Sequence, residues 1–334
     1  MSTLVPFDYG EPRVMQTGRG RRSSPMGWRW RDRLALVAAW TAGLSLCLIA
    51  AAIVGYFAVR GVQYLRPSLV FSRPQVSANQ AGSGGFLDPL LGTLLLTAIG
   101  ILLAVPLAVT TAVWVSEYGR PTWLSRVIES CIEIVAGTPD IVIALFGLVV
   151  FQLSFMGPFS VTAEGGGVYG RSFIAAGSMM SLIALPPIFA ATRDGLQAVP
   201  NHMREAAFAL GKTRITTIRR VLLPSVRSNM ATGVTLGISR IIGDTAIVVL
   251  LLAETTRIEP QNSVPILGLL RGTGSTLTSF VYNNSPAGEG AAPQKAYAAA
   301  VVLLLFVLGL NLLVERIGRH QQRATGLSAA AGVV

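Results

Sequence analysis

Between Arg204 and Val226 the chain reads REAAFALGKTRITTIRRVLLPSV. This charged, helix-prone block lies between long apolar runs. Glu205, Ala206, Ala207, Ala209 and Leu210 are good helix formers. Pro200 and Asn201 can open a helix, with Asn201 as its N-cap. Gly211 ends or bends it. Thr213 is placed to cap a second helix, in which Ile215, Ile218 and Leu222 recur at three-to-four spacing, and Pro224 closes it. The spacing predicts a compact helical hairpin presenting small residues (Ala206, Ala207, Gly211) beside Lys212, Arg214, Arg219 and Arg220. A loop that only retained positive charge on one side of a membrane would need none of this order.

The rest of the composition supplies the membrane. Of 334 residues, 51% are hydrophobic and 13% charged, with a mean hydropathy of +0.57. Soluble domains carry about 25% charged residues. The net charge of +11 comes from bases scattered among apolar runs. Without a basic stripe interleaved with aromatics, nucleic acid is not an expected partner. Cys47 and Cys131 lie in or beside apolar helices and are expected to be buried small hydrophobes. His202 and His320 have no ligand-spaced neighbours, so neither a metal nor another cofactor is expected.

Uncharged runs long enough to cross about 30 Å of hydrocarbon begin at Leu34, Leu90, Ser172 and Ala296. Two weaker candidates are the short run after Thr138-Pro139-Asp140 and the run from Met230 to Ala253, which holds Arg240 and Asp244. The expectation is an all-α integral membrane protein with six transmembrane helices, at about 34–59, 90–115, 139–156, 172–192, 230–253 and 296–314. Residues 1–33 are expected to be a disordered cytoplasmic tail with an interfacial segment near Trp28–Arg33, and 316–334 a second cytoplasmic tail. The polar stretch ahead of the first span, and that span's length, argue against a cleavable signal peptide. With the N-terminus inside, 19 of the 27 basic residues fall in inner segments and 7 in outer ones. That bias puts both termini and the 200–226 loop in the cytoplasm of a multi-pass plasma-membrane protein.

At this point the chain resembles a known family. Glu205-Ala206-Ala207, then Gly211, then Val221-Leu222-Leu223-Pro224 is similar to the cytoplasmic "EAA" loop of ABC importer permeases, with Val221 in place of the usual isoleucine. Gly84–Gly119, Leu196–Pro200, Arg240–Ala246 and Asn311–Leu313 resemble the permeases of phosphate-uptake systems, so the likeness covers about 84–315. It implies a type I ABC importer permease fold with cytoplasmic coupling helices. Glu205, Ala206, Ala207, Gly211, Leu223 and Pro224 would belong to the element that engages the ATPase. It also implies partners: two copies of an ATP-binding subunit, a homologous second permease and an extracytoplasmic solute-binding protein, assembled in membrane lipid. Asp244 stands where the family has glutamate, Ile247 where it has proline, and Ala190 where an arginine is common. These departures leave sulfate, molybdate or phosphonate open beside phosphate.

Arg240 and Asp244 are four apart and would share a helical face. Each costs about 2.5–3.5 kcal/mol at the centre of a membrane helix, which mutual pairing partly offsets. Either they are a structural ion pair or, with Gly243 and Thr245, they line a translocation path, where an arginine fork suits an oxyanion. Asp140 is expected to cap its helix, Glu129 and Glu133 to lie on the exposed face of an interfacial helix, and Pro186-Pro187 to kink the fourth span. No phosphate-cradling GxxxxGK[ST] is present, so ATP would be hydrolysed by another subunit. No nucleophile–base constellation stands out, and no enzymatic activity is expected of the chain itself. An ATP-independent carrier remains the rival reading, although no internal repeat supports it.

Overall fold

The computed structural model describes residues 30–75, 84–119, 122–163, 166–252, 258, 265–286, 288 and 292–331. Most of the expected N-terminal tail, with Trp28, and much of the 255–295 loop, which connects the last two candidate spans, lie outside them. The chain divides into two compact units, Met1–Tyr56 and Phe57–Val334. In order, the helices are α1 (Trp30–Tyr64), α2 (Pro67–Phe71), α3 (Leu87–Val113), α4 (Trp123–Gly137), α5 (Asp140–Phe151), α6 (Phe173–Ala198), α7 (Asn201–Ala209), α8 (Arg214–Thr217), α9 (Leu223–Ser225), α10 (Arg227–Gly243), α11 (Ala246–Leu252), α12 (Pro265–Arg271), α13 (Leu277–Asn284) and α14 (Pro293–Ala331). π-turns occupy Trp114–Tyr118 and Ile218–Leu222. Isolated β-bridging joins Thr162 to Val168, and Thr273 also stands in a bridge.

Among the described residues, four helical stretches are long and apolar enough to cross a membrane: Asp32–Tyr64, Leu87–Tyr118, Phe173–Ala198 and Pro293–Ile317. The two weaker candidates are bent pairs. α4 and α5 meet at 106° and α10 and α11 at 60°, so the count reaches six only if each pair makes one crossing. The helix expected over 139–156 ends at Phe151, and a 3₁₀ segment, Ser154–Phe159, follows. At about 1.5 Å per residue, α5 alone is too short for the hydrocarbon layer. The run expected at 230–253 breaks where Asp244 adopts extended backbone. By contrast, Pro186 and Pro187 sit inside an uninterrupted α6.

The core of the second unit is α3 and α10 packed on α6, with α14 against α10 and α13. Along α3 the buried positions Gly92, Leu96, Gly100, Ala104, Ala108 and Ala112 recur every fourth residue. Such a ridge of mostly small residues lets helix axes approach closely. A Cβ on Gly100 would lie 2.8 Å from Ile241 Cδ1, and one on Gly177 would collide with Ile99. Against α6, Gly233 of α10 faces the Pro187 carbonyl. Leu96, Phe173, Met180, Ile183, Ile188, Ile241, Ile247 and Leu251 fill the centre. Both cysteines are exposed rather than buried as expected, because α1 and this face of α4 present their apolar surface outward, where a small thiol suits lipid.

The ridge has a direct test. At Gly92 an added Cβ meets the Ser275 carbonyl oxygen, a backbone atom that cannot rotate away, whereas Gly309 has open space. Gly92→Ala should destabilise the detergent-solubilised protein by about 1–3 kcal/mol, and Gly309→Ala should be neutral or stabilise by up to about 1 kcal/mol. Thermal unfolding of the two variants side by side checks this. Equal midpoints would mean that the α3 ridge is not tightly packed.

Candidate functional site

The 200–226 block folds as two short helical arms. α7 starts at Asn201, and Pro200 in extended backbone holds the N-cap position. The expected cap is therefore corrected: Asn201 is already helical, and its Oδ1 accepts from Arg204 Nη1 at 3.4 Å. Gly211 adopts φ +70°, the left-handed conformation that glycine reaches without Cβ strain, and Lys212 N donates back to the Ala207 carbonyl at 3.1 Å. Thr213 caps the second arm, its Oγ1 accepting from Thr216 N at 3.4 Å. Pro224 does not close that arm. A π-turn over Ile218–Leu222 precedes it, and helix continues to a break at Val226. There Pro224 lies in the first turn of α9, where a missing N–H costs little.

The hairpin is amphipathic in an unusual sense. Ala207, Ile218 and Leu222 are buried, the latter two in a small core with Leu196, Val199 and Val226. Leu210 is 78% exposed and Ile215 60% exposed, beside exposed Glu205, Ala206 and Gly211. A groove of about 360 Å³ runs between the arms, lined by Met203, Ala206, Leu210, Thr216, Arg220 and Val221 among others. Leu223 and Pro224 are partly buried.

Arg204, which pattern reading counted only as a loop charge, organises the base. Its Nη2 donates to Glu117 Oε1 at 2.9 Å and to the Leu196 carbonyl at 2.8 Å. Its Nη1 donates to the Val199 carbonyl at 2.7 Å, and its Nε to Glu117 at 3.2 Å. Glu117 belongs to the π-turn that ends α3. The neighbouring Tyr118 ring lies 5.1 Å from the Arg214 guanidinium. Glu117 is the first acid after the long uncharged run of α3, the one sequence signal that could have flagged it. Nearby, Glu129 accepts from Arg193 Nη1 at 3.1 Å, while Glu133 stays exposed as expected.

The second candidate cluster is rearranged relative to the sequence. Arg240 and Asp244 do not share a face, because α10 ends at Gly243. Asp244 turns to the following helix, its Oδ2 accepting from Ile247 N at 2.8 Å, and is buried. Arg240 instead pairs with Asp140, Nη2 to Oδ1 at 3.3 Å, with both side chains partly exposed. The expected cap role of Asp140 gives way to that pair, and Pro139 holds the cap position without a side-chain bond. Gly243 is exposed and Thr245 half-buried at the break. Thr278 Oγ1 of α13 donates to the Ile242 carbonyl at 2.6 Å, and Asn311 Nδ2 of α14 to Ser239 Oγ at 3.3 Å. No group of three or more potential metal ligands occurs among the described residues.

Comparison with known proteins places this arrangement. Residues 100–326 match the family described as binding-protein-dependent transport system inner membrane components. The chain is 30% identical to "Probable ABC transporter permease protein YqgI" of Bacillus subtilis over 83% of its own length and 92% of that protein's. To the phosphate transport system permease protein PstA 1 of Mycobacterium tuberculosis it is 31% identical, over 77% of each chain. To the phosphate transport system permease protein PstC of Xylella fastidiosa it is 27% identical, over 92% of each. Among solved structures, it shares its fold with a subunit of a bacterial alginate ABC transporter (TM-score 0.61, 16% identity, 87% of this chain and 95% of that one).

Gly211 sits in open space, so only its backbone conformation restricts it. Gly211→Val should strain the turn by about 1–2 kcal/mol, and trypsin should cut at Lys212 and Arg214 faster than in the unsubstituted protein. Gly211→Asn should be intermediate. Unchanged cleavage in Gly211→Val would mean that the turn is not held.

Proposed function

Because the chain belongs to the family of binding-protein-dependent transport system inner membrane components, we propose that this multi-pass membrane permease subunit imports an oxyanion, inorganic phosphate, at the expense of ATP hydrolysed by a partner. Phosphate is supported by relatives named as phosphate permeases at 27–31% identity. The observation that carries the coupling is the hairpin. Exposed Leu210 and Ile215 sit on a base-rich turn outside the long apolar helices, and apolar surface of that kind marks a protein contact. Glu205, Ala206 and Gly211 form the tip that enters the ATPase subunit, Ala207 packs beneath them rather than touching the partner, and Leu223 and Pro224 anchor the second arm. The positive bias of the inner segments favours this face, and both termini, in the cytoplasm.

A solute-binding protein delivers the anion from outside, and the described parts of the 255–295 loop are candidates for that contact. This subunit and a homologous second permease enclose the path, and two ATP-binding subunits close on ATP and drive the hairpins. The spans then switch between two packed arrangements. Within the path, the Arg240 guanidinium offers two parallel donors to an oxyanion. Asp140 is the carboxylate that competes for it, since Asp244 is engaged by Ile247 N. That competition keeps the anion from being trapped. Gly243 and Thr245 shape the break beside it.

Two measurements test the proposal. Reconstituted with its partners, the complex should take up radiolabelled phosphate in preference to sulfate and molybdate, and only with ATP. Arg240→Gln should abolish uptake while the ATPase still co-purifies; normal uptake would remove Arg240 from the path. Leu210→Glu should weaken ATPase binding by at least about 2 kcal/mol, and undiminished co-purification would exclude the hairpin tip as the contact.

A further inference from the structure

We propose that the π-turn Trp114–Tyr118 at the end of α3 receives the motion of the hairpin, with Arg204 and Glu117 as the positioning residues that hold the joint. This rests on the coupling role given above and names the element that takes up the force. Both arms of the hairpin touch this one turn. The first reaches it through Arg204, whose fork grips Glu117 twice, at 2.9 and 3.2 Å. The second reaches it through Arg214, stacked on Tyr118 at 5.1 Å. Glu117 and Tyr118 are consecutive, so the two arms converge on adjacent residues.

The joint is built for rigidity. Arg204 and Glu117 side chains are only 18% and 10% exposed, so the pair is poorly screened by water. The same guanidinium donates to the carbonyls of Leu196 and Val199 at the end of α6, where a helix leaves acceptors short of intrahelical donors. It thereby ties α7 to α3 and α6 at once. Lysine, a point charge without a planar fork, cannot meet these acceptors together. The other exit from the hairpin, the chain itself, passes through Val226, where the helix breaks at φ −100° and ψ 10° before α10 begins. α3 is the better conductor. It runs unbroken from Leu87 to the π-turn and lies along α6 by its small-residue ridge. At its far end Thr93 Oγ1 accepts from Leu277 N at 2.8 Å. The π-turn carries an extra residue in its coil, with Gly119 N bonding to the Trp114 carbonyl at 2.8 Å. Such turns are rare and recur at functional sites.

The test separates a joint from a strut. Arg204→Lys and Glu117→Gln keep size and polarity and are made in the full complex with its ATPase and binding protein. Three quantities are read: ATPase retained on purification, ATP hydrolysed, and oxyanion taken up per ATP. The joint predicts retained assembly and hydrolysis with uptake per ATP reduced about tenfold, the size of an ordinary coupling energy. Unchanged uptake per ATP in both variants would overturn it. So would a loss of uptake that only tracks the loss of bound ATPase, since that marks a structural brace. If the unsubstituted complex neither binds an ATPase nor moves an oxyanion, the functional reading itself fails, and that is seen before any variant is made.

Discussion

Inside a bilayer no water is available to satisfy a backbone amide or carbonyl, and a helix that stops there must find other partners. The interrupted runs of this chain show how that demand is met. At the α4–α5 bend, Thr138 Oγ1 donates to the Ile134 carbonyl at 2.7 Å and Val142 N to the Pro139 carbonyl at 2.9 Å. At the α10–α11 bend, the Asp244 carboxylate takes the Ile247 amide and Thr278 covers the Ile242 carbonyl. The end of α11 is held by Ser172 N on the Leu251 carbonyl and Gly274 N on the Leu252 carbonyl. Short polar side chains near each break thus do what solvent would do elsewhere. The breaks bring Asp140 and Arg240, far apart in sequence, to one place.

How much of this was legible depends on the range of the interaction. The long uncharged runs and the cap and glycine of the hairpin are local patterns, and the helices Leu87–Tyr118, Phe173–Ala198 and Pro293–Ile317 follow them closely. Thr213 and Gly211 act where their chemistry puts them. The partner of Arg240 was not legible, because helical periodicity assumes a helix that continues. It stops at Gly243, and the carboxylate of Asp244, four residues after Arg240, serves the next helix. Arg204 was missed for a related reason: its shortest bonds go to a side chain 87 residues away and to two carbonyls, which no spacing rule sees. Pro224 failed as a stop signal because a π-turn shifts the register of bonds ahead of it.

The hairpin departs from the usual arrangement of a surface helix at three positions. Arg204 points into the body of the protein, and Leu210 and Ile215 point away, while Ile218 and Leu222 pack inward as expected of apolar residues. Polar bonds with fixed geometry hold the hairpin to the spans. In the coupling role proposed above, its apolar tip would suit a partner that approaches and leaves, because such contact is tolerant of direction.

The small-residue stripe on α3 carries a consequence for how sequence variation in this protein should be judged. The cellular insertion machinery sorts segments by their affinity for lipid, and valine or leucine at position 100, 104 or 108 would satisfy it as well as glycine or alanine does. The folded molecule sorts the same positions by radius. Harmful changes there would therefore pass the insertion step unnoticed and be felt only when the helices pack, correctly threaded and wrongly assembled. Hydropathy plots are blind to that class of defect.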